Sequence, residues 1–92
     1  MLAAFGAAAG CAPIFYSVNL LSAQRAVSEA REAGAAEHAP YEYYYADAFL
    51  KKAEEEANEG QYQDAIEYAH TAETSGVKAR DISRRHMQET GR

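Results

Sequence analysis

The sequence predicts an all-α protein, an up-down-up array of three antiparallel helices with Ala-rich, closely packed contacts. Three observations carry that expectation. The first is composition: 48% of the residues are hydrophobic, yet mean hydropathy is only −0.49, because Ala rather than Leu, Ile, Val or Phe supplies the apolar count. Ala together with Glu, Gln, Lys and Arg is the composition of helices. The second is scarcity, since no Trp, two Pro and six Gly are too few for a turn-rich β-sandwich. The third is apolar spacing of three and four residues, repeated in three blocks that Gly and Pro separate.

The elements follow in order. Residues 1–10 hold no charged or strongly polar group and have the length of a signal-peptide apolar region, too short to span a bilayer. Ala8, Ala9 and Gly10 lead into Cys11, the only cysteine, which excludes an internal disulfide. This is similar to a bacterial lipobox, in which cleavage precedes a cysteine that carries lipid. On that pattern residues 1–10 are a truncated lipoprotein signal segment, residues 11–16 a lipidated tether and residues 17–92 the helical domain. The usual lipobox Leu is replaced by Ala8, and the basic stretch that normally opens such a leader is missing. Ala12 and Pro13 differ from the Asp of inner-membrane retention, so the resemblance places the mature chain at the outer membrane, on its periplasmic face.

Pro13 sets the earliest start of helix one. Tyr16, Leu20, Ala23, Val27 and Ala30 then form its stripe, with Ala26 and Ala33 alongside, and Gly34 provides a left-handed stop. Residues 35–39 read as a short loop. Pro40 suits the first position of helix two, with Glu42 and Asp47 toward its positive end. Its stripe is Tyr43, Ala46, Leu50, Ala53 and Ala57, and Gly60 ends it. Helix three starts near Tyr62, with Asp64 in its first turn and the stripe Tyr62, Ala65, Ile66, Ala69, Ala72 and Gly76. It continues to about residue 88, where Arg84 and Arg85 meet the negative end of its dipole, and the basic end at 80–92 is expected to fray.

Composition also excludes function classes. Leu, Ile, Val and Phe number only thirteen, which rules out a large enclosed core, and 92 residues allow one domain at most with little room for pocket, second layer and lid. An enzyme is not expected, and neither is a small-molecule substrate. Residues 28–75 carry a net charge of −9, which repels a phosphate backbone, and the short basic stretch at 77–92 lacks interleaved aromatics, so no nucleic acid is expected. Neither metal nor cofactor is implied: His38, His70 and His86 do not stand four residues apart. Glu54, Glu55, Glu56 and Glu59 lack the Gly-turned loop that gathers carboxylates around calcium and read as a solvated face.

The tyrosines are the feature that composition does not absorb. Tyr41, Tyr43, Tyr44 and Tyr45 surround the start of helix two, and successive positions cannot share one core. Tyr43 belongs to the buried stripe, while Tyr41 and Tyr45 fall on the opposite side. Either the others cover apolar surface with their hydroxyls in water, or they form a contact surface, since Tyr with Arg is the composition of interface hot spots. The second account puts Tyr41, Tyr44 and Tyr45 beside Arg84 and Arg85, which an overhang of helix three would hold away from the anchor.

Ala23, Ala26, Ala30, the run Ala33, Gly34, Ala35, the pair Ala39, Pro40, then Ala46, Leu50, Ala53, Ala57, the run Gly60, Gln61, Tyr62, and Ala65, Ala69 and Ala72 together resemble the bacterial domain-of-unknown-function family 4398. The resemblance covers about residues 20–80, and its most specific part is Gly60, Tyr62 and Ala65. It implies a small Ala-rich envelope lipoprotein, often accompanied by OmpA-like peptidoglycan-binding proteins, with no defined activity. Tyr43, Tyr44 and Tyr45 depart from the Glu and Leu expected there. The segment from Gly60 to Ala69 also resembles half of a tetratricopeptide repeat, present once where stability needs about three copies. The favoured expectation is a non-catalytic structural or protein-interaction module of the cell envelope, joined to the membrane by lipid and to an envelope partner, OmpA-like or a multiprotein assembly. The alternative is direct binding of an envelope polymer such as peptidoglycan through the Tyr and Arg surface.

Overall fold

The computed structural model describes the backbone of residues 2–90 and the side chains of residues 14–90. The leader and lipidation expectations for residues 1–10 and Cys11 bear on residue 1 and on side chains outside this description. Four helices pack against each other: α1 (Leu2–Glu32), α2 (Ala35–His38), α3 (Pro40–Asn58) and α4 (Tyr62–Glu89). Three of these are the expected elements, although α1 starts before Pro13, the earliest start expected for it, and α2 is a correction, standing where a loop of residues 35–39 was expected. Its cause is local. Ala35, Ala36 and Glu37 are strong helix formers, and Gly34 at φ 85° turns the chain so that the His38 and Ala39 amides donate to the Gly34 and Ala35 carbonyls at 2.9 Å each. Residues 14–16, expected in the tether, lie inside α1, where Tyr16 packs its ring 5.9 Å from that of Tyr62.

The second turn is a Schellman closure. Gly60 at φ 81° donates to the Ala57 carbonyl at 3.0 Å, and the Gln61 amide reaches back to Glu56 at 2.8 Å. Carbonyls that the end of α3 would leave unpaired are thereby satisfied, and α4 can start within one turn.

Side-chain pairs give the packing directions. Tyr16 meets Tyr62, Glu29 accepts from Arg80, and His38 stacks on His86, so numbers rise together along the contact of α4 with α1 and α2. Against α3 they run opposite, since Ala53 clusters with Ala69 and Ala72, whereas Tyr43 and Ala46 cluster with Ala79. The result is a rod of 62 × 18 × 14 Å. The Gly60 turn stands beside Tyr16 of α1, and the opposite end of the rod holds α2 and His86.

The interior is alanine. Of thirteen buried apolar residues among those described, eleven are Ala, and the others are Val27 and Tyr43. Gly76 brings the backbones closest: a Cβ added there would lie 3.1 Å from the Ala26 carbonyl carbon, the Ala26 Cβ and the Val27 nitrogen. The α4 stripe runs further than Gly76, through Ala79 to Ser83, whose buried hydroxyl donates to the Ala79 carbonyl at 2.8 Å. A serine satisfied within its own helix can occupy a small-residue position.

Ala53 and Ala69 are both fully buried between α3 and α4. Ala53→Leu or Ala69→Leu should each destabilise by about 1 to 3 kcal/mol through overpacking, whereas a change at exposed Glu55 should be silent. Circular dichroism melts check this, and an Ala53→Leu protein as stable as the parent would overturn the close contact.

Candidate functional site

Pro40 opens α3 and fixes where its first turn sits. Helical spacing then distributes the tyrosines around that turn. Tyr43 points inward and is 7% exposed, held by its ring packing and by the Arg31 Nε–H, which donates to its hydroxyl at 3.0 Å. That bond, with the phenol's partial charge, raises the Arg31 pKa above its ordinary value and keeps the guanidinium charged. Tyr44 lies round the helix with its ring edge-on to Tyr43, centroids 5.0 Å apart.

Tyr41 and Tyr45 stack at 5.9 Å, and the series continues through Phe49 at 4.8 Å to Tyr68 of α4 at 5.6 Å. Lys52 Nζ sits 5.3 Å from the Tyr68 ring centre and supplies a cation to the far end of this ladder. Exposure decreases along it, from Tyr41 at 74% to Tyr45 at 40% to half-buried Phe49 and Tyr68. Tyr45 is therefore a flank residue rather than one opposite the core. Phe49, Lys52 and Tyr68 were not singled out from the sequence. Phe49 was legible, standing four residues after Tyr45 and eight after Tyr41. Tyr68 was not, because its place depends on the register between α3 and α4.

Arg84 and Arg85 are exposed on α4. Arg80, one turn before Arg84, faces α1, where its guanidinium donates to Glu29 at 2.8 Å and to Asp81 at 2.9 Å; both carboxylates raise its pKa. Arg84 continues that row on the α1 side. The ladder reaches α4 on the α3 side. Among the described residues no hydrogen bond, ion pair or cation–π contact joins Tyr41, Tyr44 or Tyr45 to Arg84 or Arg85, although both sets stand toward the α2 end of the rod. The expected overhang is also shorter. Because α2 folds back as a helix, His38 stacks on His86 at 4.3 Å, and only the last turn of α4 runs past it.

A shallow cleft between α1 and α4 is lined by Arg25, Glu29, Glu73, Val77 and Arg80, with Ser22 at its edge. Arg80 and Glu29 neutralise each other there. At the other end of the rod, burial against Tyr62 and the nearby Glu54 charge raise the pKa of the Tyr16 phenol. Among the described residues no group of three or more His, Cys, Asp or Glu is placed to hold a metal ion, and no helix is long and apolar enough to cross a membrane.

The class is thus an all-helical protein with an alanine core and aromatic side chains displayed outside. The chain belongs to the family described as Domain of unknown function (DUF4398), whose model matches residues 18–90. That span includes the Ala and Gly positions from Ala23 to Ala72 on which the resemblance was read, and it extends to the end of α4. No curated protein and no solved structure matched the chain.

Proposed function

We propose that the chain is a non-catalytic outer-membrane lipoprotein, attached through lipid on Cys11 and working as a structural or protein-interaction module on the periplasmic face. In this reading the three long helices form an up-down-up array with α2 as its turn. The Gly60 end is membrane-proximal and the α2 end is held away. The carrying observation is the display of Tyr41, Tyr44 and Tyr45 near the α2 end, 74%, 57% and 40% exposed, on a rod whose buried positions are nearly all Ala. Tyrosine gives large contact area at low conformational cost, and exposed Arg84 and Arg85 add charge near the same end. Packing of this kind supports presentation of a surface, not enclosure of a substrate.

A protein partner fits better than a glycan strand. Tyr41 and Tyr45 stack on each other with 30° between their planes, and Tyr44 is engaged with Tyr43, so these rings already spend contact area on one another that sugar stacking would need as free ring faces. An envelope protein, OmpA-like or part of a multiprotein assembly, is the partner proposed. Tyr41→Ala with Tyr45→Ala should abolish in-cell cross-links to it, and Arg84→Ala with Arg85→Ala should weaken them, while helicity and membrane fractionation stay unchanged. Undiminished cross-linking moves the surface elsewhere. Capture on purified sacculi without a cross-linked protein would favour the polymer. The intact mass of membrane-fraction protein tests the anchor, because Cys11 unmodified with Met1 attached excludes lipidation.

A further inference from the structure

Four large apolar side chains stand outside the alanine core. Ile14, Phe15, Val18 and Leu21 of α1 are 60–63% exposed. At 100° per residue Ile14, Val18 and Leu21 share the side of α1 opposite Ala23, Val27 and Ala30, the residues it buries, and Phe15 stands on the flank of that patch. The full chain has only thirteen Leu, Ile, Val and Phe residues, so leaving four of them together on the outside is a marked departure from its own economy. A cluster of this kind on a convex helix face implies an apolar partner.

Three observations identify that partner. No charged residue precedes Arg25, so the patch continues the charge-free sequence on its N-terminal side. The patch also lies beside the Gly60 end of α3 and α4, since Tyr16, on the inward side of the same stretch of α1, meets Tyr62 in the first turn of α4. Finally, that end carries Glu54, Glu55, Glu56, Glu59 and Asp64 around the Gly60 turn. Twofold pairing of two copies through the patch would bring these acidic turns into one region, and an anionic surface would be repelled by them. A zwitterionic bilayer meets all three conditions. We infer that residues 14–21 of α1 are a direct contact with a zwitterionic lipid surface, with Ile14, Phe15, Val18 and Leu21 inserted at the headgroup boundary.

The contact rests on the anchored reading for its orientation, and its test is independent of that reading. Cys11 is the only thiol, so the full chain can be coupled to a maleimide-headgroup lipid in phosphatidylcholine vesicles whether or not a cell acylates it. The absence of Trp makes Phe15→Trp a single reporter, with Tyr44→Trp as the remote control. On vesicles with brominated acyl chains the Phe15→Trp emission should shift to the blue and lose most of its intensity, while Tyr44→Trp stays unchanged. Unquenched, solvent-like emission from the coupled Phe15→Trp chain overturns the inference, and the lipoprotein reading then still stands or falls on the mass of Cys11. A blue shift that needs no vesicles and grows with protein concentration would assign the face to a second copy instead. Quenching confined to vesicles rich in phosphatidylglycerol would equally overturn the zwitterionic contact.

Discussion

Gly76→Leu should lower the stability of the domain by about 3 kcal/mol, at the upper end of overpacking costs. A Cβ at this position already stands 3.1 Å from the Ala26 and Val27 backbones, and backbone cannot rotate aside as a flexible side chain can. The α1 and α4 helices must therefore separate along their shared contact. Leu is the better helix former by a little under 1 kcal/mol, which does not offset the missing space. Gly76→Ala sets the two effects nearly equal and should be close to neutral. For a domain of this size about 3 kcal/mol corresponds to a fall in Tm of roughly 12 to 24 °C. Ala48→Leu, on the exposed face of α3, is the control and should leave Tm unchanged. A Gly76→Leu protein melting with the parent would sink the close approach of α1 and α4.

That approach shows how far the sequence was readable. Gly76 stood in the expected α4 stripe, because spacing of three and four marks a buried face whatever the residue's size. Its partner on α1 was not readable, since a stripe of Ala and Gly carries no shape that selects one register over another. The turns were legible where a residue forces the backbone: Gly34 and Gly60 both take positive φ. At residues 35–38 the chain had helix formers but no length, and four residues escape a periodicity test that needs about 11. The overhang was misjudged for the same reason, because an unseen α2 covers α4 as far as His86.

The tyrosines divide along the same line. Tyr43 was assigned inward and Tyr41 and Tyr45 outward from helical angles alone. What angles could not give was the continuation through Phe49 onto Tyr68, or the separation of Arg84 from the aromatic side. Both depend on how α4 is rotated against its neighbours. That rotation is fixed by small residues such as Ala69, Ala72, Gly76 and Ala79, all fully buried or nearly so.

Tyr43→Ala should be the most damaging truncation, costing about 3 to 5 kcal/mol, the range for removing a large buried aromatic side chain. Tyr43 is the only large aromatic among the buried residues, and it fills the space among Val27, Ala30, Ala35, Ala39, Ala46 and Ala79. Five of these six neighbours are Ala and have no longer side chain to swing into the void, which leaves only Val27 and the flanking Leu50 and Ile82 to narrow it. The hydrogen bond from Arg31 is the smaller part. Its net contribution is about 0.5 to 1.5 kcal/mol, and Arg31, itself exposed, regains water when the hydroxyl is lost. Tyr43→Phe should therefore cost about 1 kcal/mol and keep the ring against which Tyr44 rests. The two variants separate packing from display: Tyr43→Phe should melt near the parent and retain partner cross-links, while Tyr43→Ala should melt far lower and release Tyr44. Equal melting temperatures for the two would put the stabilisation in the Arg31 bond and leave Tyr44 without buried support from the Tyr43 ring.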